Sequence, residues 1–74
     1  MNVMNNIKLF LIRNYDSLEK ASRSIGVTSN TVRNWCGKMP RNMLKYIPEI
    51  SNTSGATYAE IVEEVLICER EGVE

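Results

Sequence analysis

Four side chains that can donate and accept hydrogen bonds fall at helical spacing in the middle of the chain. Residues three and four positions apart share one face of a helix. Arginine can pair with two acceptors on guanine, and asparagine with a donor and an acceptor on adenine, in the major groove of DNA. The sequence therefore predicts contacts to base edges, with Asn30 and Arg33 as the first choices; the full set is Ser29, Asn30, Arg33 and Asn34. In the alternative reading, Arg33 contacts a phosphate and Asn34 only solvates the helix.

A second set of residues can hold phosphate groups without reading a base sequence. Ser17 and Thr28 each precede a predicted helix, where free backbone N–H groups and the positive end of the helix dipole attract phosphate oxygens. Helix capping alone is the alternative role of these two hydroxyls. Lysines and arginines nearby supply positive charge. The predicted phosphate contacts are Ser17, Lys20, Thr28, Lys38, Arg41 and Lys45.

The elements that position these residues are two short helices joined by a tight turn. Leu18, Ala21 and Ile25 are apolar at helical spacing, and Gly26 then supplies a residue that adopts a left-handed conformation without steric penalty. Thr28 can cap a second helix, whose inward residues are Val32 and Trp35. Ser22 is small where the two helices approach each other most closely.

Residues 17–36 resemble the helix-turn-helix of the Cro/repressor-like family of phage and bacterial transcription regulators. The matching residues are Leu18, Ala21, Ser22, Ile25, Gly26, Val27, Val32 and Trp35, followed by GKMPRNMLKYI at 37–47. In that family a large apolar residue ends the recognition helix, and a link containing Gly and Pro leads to a fourth helix. The resemblance implies a compact all-α domain of four to five helices, of the lambda-repressor-like kind. It also implies a DNA-binding repressor or activator that is usually a dimer.

The distribution of charge supports a nucleic-acid partner, although the formal net charge is zero. Residues 1–48 contain eight Lys and Arg against two acidic residues, which gives +6. Residues 49–74 contain one Arg against seven Glu, which gives −6. The basic part contains the two predicted helices, so we expect the acidic part to face away from DNA.

The composition gives little reason to expect a catalytic site or a metal site. The chain has no histidine, and its two cysteines, Cys36 and Cys68, do not form a CxxC motif. We therefore expect no metal, no cofactor, no small-molecule ligand and no enzymatic activity, and two reduced thiols in a cytoplasmic, nucleoid-associated protein. The longest apolar run, residues 9–12, is too short to cross a bilayer, and nothing resembles a signal peptide.

Hydrophobic periodicity predicts one domain, residues 1–74, built from helices alone. The first helix covers about residues 3–14, with Met4, Ile7, Phe10, Leu11 and Tyr15 on its buried face. Further helices begin at Asp16 or Ser17, after Thr28 and at Pro40, and Pro48 stops or kinks the last of these. Residues 51–56 read as a turn. The last helix covers about residues 57–71, with a capping box of Thr57 and Glu60 and an apolar face of Tyr58, Ile61, Val62, Val65 and Leu66.

Two copies on a palindromic operator are expected, because one helix-turn-helix makes too few contacts for useful specificity. The predicted dimer contacts are Ile67, on the C-terminal helix, and Leu9 and Ile12, which lie off the buried face of the first helix. The leading hypothesis is a Cro-like repressor of this kind. The alternative is a protein-interaction module, an antirepressor or adaptor, that keeps the fold without reading DNA.

Overall fold

Helices alone make up the regular structure of residues 6–71, which are the residues described by a computed structural model of the chain. They confirm the all-α expectation. A short 3-10 helix at Pro40–Tyr46 separates the third α-helix from the fourth. The α-helices are α1 (Asn6–Tyr15), α2 (Leu18–Ile25), α3 (Ser29–Cys36), α4 (Ile47–Ser54) and α5 (Tyr58–Glu71).

Helix α1 buries the face that the periodicity predicted. Ile7, Phe10, Leu11 and Tyr15 are all buried, and α1 packs against α2 and α5. The Tyr15 hydroxyl donates to the Ile50 carbonyl at 3.2 Å, which ties the end of α1 to α4. The predicted start near residue 3, with Met4, lies outside the described residues.

Helix α2 begins through the second of its two predicted caps. Ser17 Oγ accepts a hydrogen bond from the Lys20 N–H at 3.1 Å. Asp16 instead lies one residue before the cap with a φ of 84°, and its carboxylate pairs with the Lys20 ammonium. Asp tolerates this left-handed region better than most residues, which permits the sharp turn between α1 and α2.

The turn between α2 and α3 has the backbone conformation that the glycine predicted. Gly26 is left-handed, with a φ of 94°. The N–H groups of Gly26 and Val27 both donate to the Ser22 carbonyl at 2.9 Å, which satisfies the end of α2. Ser22 is 5 % exposed, as expected for a small residue at a close helix contact.

Beyond α3, the helix that begins at Pro40 ends at Tyr46, before Pro48, as predicted, whereas the prediction that residues 51–56 form a turn is wrong in part. Pro40–Tyr46 is helical as expected but of the 3-10 type. Pro48 lies in the first turn of α4, where its missing N–H removes no helical bond. Residues 51–54 complete α4, and only Gly55, with a φ of 84°, ends it.

Helix α5 confirms the predicted capping box and corrects the predicted buried face. The Thr57 N–H donates to Glu60 Oε1 at 2.8 Å, and the Glu60 N–H donates to Thr57 Oγ1 at 3.1 Å. Ile61, Val65 and Cys68 are the buried residues, whereas Tyr58 and Leu66 are exposed. Contacts with α1 fix this rotation, because the Asn6 amide donates to both the carbonyl and the carboxylate of Glu64.

Trp35 lies at the centre of the core and is fully buried, as predicted. Its ring packs against that of Tyr46, with centroids 5.5 Å apart and a tilt of 40°. Since Tyr46 belongs to the 3-10 helix, this contact fixes the end of α3 against the following segment. Within residues 6–71, no helix is long and apolar enough to cross a membrane.

Candidate nucleic-acid interface

The polar face of α3 is oriented by the burial of its opposite face. Val32 and Trp35 are both 0 % exposed and anchor the helix in the core. The side chains of Asn30, Arg33 and Asn34 consequently lie in solvent, whereas Ser29 is half-buried. The structure thus brings the four predicted base-contact residues to one side of one helix.

None of these four side chains is engaged in a hydrogen bond or ion pair within the described part of the chain. Among residues 6–71, Ser29, Asn30, Arg33 and Asn34 make no side-chain hydrogen bond or ion pair. Exposed donors and acceptors of this kind can pair with an external ligand without first breaking an internal bond. The guanidinium and the amides therefore retain their full hydrogen-bonding capacity.

The two hydroxyls predicted as phosphate contacts both cap helices. Ser17 and Thr28 accept from the N–H three residues on, and Thr28 Oγ1 also lies 2.9 Å from Thr31 Oγ1. Their side-chain oxygens therefore already accept hydrogen bonds from the helix ends. At the start of α3, the N–H groups of Ser29 and Asn30 have no acceptor among the described residues and can receive a phosphate oxygen.

The predicted phosphate-binding cations fall into two groups. Lys38 and Lys45 are exposed and make no ion pair with any residue in the described range. Lys20 pairs with Asp16 at 3.1 Å, and Arg41 pairs with Glu69 of α5 at 2.5 Å. Exposed pairs contribute little to stability, so either cation can exchange its partner for a phosphate.

The structure also contains a basic cleft that the sequence did not predict. Arg13 at the end of α1 and Lys20 and Arg23 on α2 line one open cavity of about 630 Å³, together with Asp16. Neither arginine has an acidic partner among residues 6–71. Spacing along a single helix could not predict this cluster of basic residues, because its members lie on two helices that the turn at Asp16 brings together. In the sequence, only the net charge of +6 over residues 1–48 indicated that basic side chains gather in this part of the molecule.

The three residues predicted as dimer contacts do not share one surface cavity. Ile12 is half-buried and lines the basic cleft, whereas Ile67 is half-buried and lines two cavities along α5. Leu9 is 46 % exposed on α1. Ile67 lies beside Glu60, Glu63 and Glu64 in one of these cavities and beside Val62 and Leu66 in the other.

Both thiols are protonated near neutral pH. Burial raises the pKa of Cys36 to about 11, with Cys68 adding to the rise and the nearby Lys8 ammonium opposing it. Burial also raises the pKa of Cys68, and Glu69 raises it further. Cys36 and Cys68 do not form a disulfide bond, and residues 6–71 contain no group of His, Cys, Asp and Glu side chains arranged to hold a metal ion.

Comparison of the chain with protein-family models, with curated proteins and with solved structures gives no significant match.

Proposed function

We propose that this chain is a sequence-specific DNA-binding transcriptional regulator in which α2, the turn at Gly26 and α3 form a helix-turn-helix. Helix α3 is the recognition helix and enters the major groove. The protein acts as a Cro-like repressor that binds a palindromic operator as a dimer. Occlusion of a promoter is the simplest mechanism, since it requires only occupancy of the site.

One observation carries this proposal: α3 has a fully buried apolar face, and the side chains of Asn30, Arg33 and Asn34 on its exposed face make no hydrogen bond or ion pair within residues 6–71. Any surface helix needs polar residues on its outer face for solvation, and Arg33 with Asn30 and Asn34 also supplies donors and acceptors that match base edges. A partner-binding helix would be expected to expose apolar residues there. Arginine and asparagine are instead the side chains that pair bidentately with guanine and adenine.

The other contacts position the protein on the duplex rather than select a sequence. Lys38 lies two residues after the end of α3 and is exposed to solvent. The free N–H groups at the start of α3 supply a second phosphate contact. In this arrangement Asn30 and Arg33 specify bases, whereas Lys38 and the helix end fix the register.

Selection of bound sequences from a random pool of duplex DNA tests the proposal directly. We expect a palindromic motif whose half-sites lie one helical turn, about 34 Å, apart. Arg33→Ala should weaken binding to that motif by about 1–3 kcal/mol and relax the preference at one base pair. Lys38→Ala should weaken binding to all sequences alike and reduce the salt dependence by about 0.9 in log–log slope.

Asn52→Ala is the matched control for Asn30→Ala, because Asn52 is an exposed asparagine on α4, away from the proposed recognition helix. It should leave DNA binding unchanged. Recovery of no motif from the pool, or equal effects of Asn30→Ala and Asn52→Ala, would contradict the proposal. Such a result would favour the adaptor or antirepressor alternative.

A further inference from the structure

The basic cleft between α1 and α2 contains none of the residues proposed to contact bases. Its lining comes from the end of α1, from α2 and from Thr53 of α4, and its volume is about 630 Å³. Within residues 6–71, nothing from α3 or from the 3-10 helix lines this cleft. Ligand sites in proteins typically measure about 300–1,000 Å³, so the cleft can hold a small ligand.

The lining of the cleft has an excess of positive charge. Arg13, Lys20 and Arg23 against Asp16 give it a net charge of +2. Both guanidinium groups are exposed and make no ion pair within residues 6–71. Lys20 pairs with Asp16 at 3.1 Å, an exposed contact that an anion can replace at little cost. A ligand with two negative charges would therefore balance the cleft.

The acidic residues of α5 do not neutralise Arg13. This arginine also lines an adjoining cavity that contains Glu60, Glu63 and Glu64. The Glu60 carboxylate accepts the N–H of the residue that caps α5, and the Glu64 carboxylate accepts from the Asn6 amide. None of the three carboxylates lies within ion-pair distance of the guanidinium. Arg13 therefore retains its charge and its donors for a ligand in the cleft.

Polar groups beside these cations indicate what the rest of the ligand contains. The Asn14 amide donates to the Phe10 carbonyl at 2.8 Å, which leaves its side-chain oxygen as an acceptor. The Ser24 hydroxyl is exposed and makes no hydrogen bond among residues 6–71. Apolar side chains contribute little, since Ile12 is half-buried and Tyr15 is buried. This lining suits hydroxyl groups better than an apolar body.

We propose that the basic cleft binds a small phosphate monoester that also carries hydroxyl groups, such as a sugar phosphate. The phosphoryl group contacts Arg13 and Arg23, because a guanidinium pairs with phosphate through two parallel hydrogen bonds. A phosphate monoester carries about −1.5 to −2 charge at pH 7, which matches the charge of the cleft. The hydroxyl groups donate to Asn14 and accept from Ser24.

This inference does not depend on DNA binding, since it rests only on the lining of the cleft. The expectation of no small-molecule ligand came from the composition of the chain. Composition does not show that the turn at Asp16 brings cations from two helices to one cleft.

Isothermal titration calorimetry of the full chain without DNA, at low salt, tests the proposal with glucose 6-phosphate as the probe. Glucose 6-phosphate should bind, inorganic phosphate should bind more weakly, and glucose should not bind. Arg13→Gln and Arg23→Gln should each raise the dissociation constant about tenfold, since each removes a charge-assisted hydrogen bond. Arg70→Gln is the matched control, because Arg70 is an exposed arginine of α5 that does not line the cleft. A wild type that does not bind glucose 6-phosphate, or binding that both cleft variants leave unchanged, would overturn the proposal.

Asp16→Asn tests the charge balance in the opposite direction. Asn also tolerates the left-handed region that Asp16 occupies, so this variant should keep the helical content of the wild type, as measured by circular dichroism. Loss of the carboxylate releases Lys20, so the dissociation constant of glucose 6-phosphate should fall about threefold. A folded Asp16→Asn that binds more weakly than the wild type would contradict the proposal.

The DNA backbone is the other source of phosphate groups, and the two arginine variants distinguish it. If Arg13→Gln and Arg23→Gln weakened DNA binding while glucose 6-phosphate did not bind the wild type, the cleft would be a contact to the DNA backbone. The small-ligand proposal would then be wrong, whereas the proposed function would stand.

Discussion

Replacement of Trp35 provides a quantitative test of how the proposed recognition helix is held. The side chain is fully buried and contacts the ring of Tyr46. A buried aromatic residue removes about 150–250 Å² from water, which at about 25 cal/mol per Å² amounts to about 4–6 kcal/mol. Trp35→Ala should therefore cost about 3–5 kcal/mol of unfolding free energy, in line with other aromatic truncations. A domain of 74 residues has about 4–11 kcal/mol in total, so this variant should be largely unfolded or marginal.

The indole nitrogen gives the second half of this prediction. Trp35 Nε1 is buried and has no hydrogen-bond partner among residues 6–71. An unsatisfied buried donor costs about 1–3 kcal/mol. Trp35→Phe removes that donor and keeps an aromatic ring beside Tyr46. Its destabilisation should therefore be smaller, below about 2 kcal/mol, because the relieved N–H offsets part of the lost packing.

Urea denaturation followed by far-UV circular dichroism measures both variants. Fluorescence is unsuitable, because Trp35 is the only tryptophan and both substitutions remove it. If Trp35→Phe destabilised the fold as much as Trp35→Ala, the indole N–H would have a partner in solution and the argument would fail.

Four further predictions concern individual contacts. Glu69→Gln should strengthen DNA binding and steepen its salt dependence by up to about 0.9, because it frees Arg41 for a phosphate; the effect should vanish when Arg41 is Gln in both proteins. Asp16→Ala should lower the free energy of unfolding, measured by urea denaturation, by about 1–2 kcal/mol, and Asp16→Gly should lower it less, since only Gly adopts a φ of 84° freely. Equal losses in the two variants would show that the ion pair with Lys20 is responsible instead. Thr57→Ala should lower the free energy of unfolding, measured by thermal unfolding, by about 1 kcal/mol, and Thr57→Ser should leave it almost unchanged. Similar losses in the two variants would exclude the capping role. The raised pKa of Cys36, from 9.0 to about 11, should make stability fall as the pH rises from about 9 to about 11, because the unfolded thiol ionises first; Cys36→Ala should remove this part of the pH dependence.

Local signals predicted several features of the fold correctly. Gly26 was expected to be left-handed at the end of α2, and it has a φ of 94°. The reciprocal hydrogen bonds of Thr57 and Glu60 were read from residue types three positions apart. Such features depend on backbone conformation and on near neighbours in the chain, so the sequence contains the information directly.

Residue types that suit two kinds of local structure predicted the fold less well. Pro48 predicts the end of the helix that begins at Pro40, and that helix does end at Tyr46. The same proline also lies in the first turn of α4, a helix that the sequence did not predict. The polar residues 51–56 predict a turn, yet residues 51–54 are helical, and the hydroxyls of Thr53 and Ser54 donate to carbonyls of α4. Ser54 Oγ donates to the Ile50 carbonyl at 2.6 Å. The same hydroxyls suit either a turn or a helix end, so composition did not decide between them.

The sequence by itself determined that residues 6–71 are helical, that Gly26 ends α2 and which side of α3 is polar, because these follow from periodicity and local hydrogen bonding. Only the tertiary structure decided which side of α5 meets the core. Val62 and Leu66 fit an apolar helical face, but packing with α1 and the bonds from Asn6 to Glu64 turned α5 so that Leu66 lies in solvent. The pairing of Arg41 with Glu69 and the meeting of Arg13 with Arg23 were likewise decided only by folding. Each joins residues from separate elements, and their proximity depends on how the helices pack rather than on spacing along one helix.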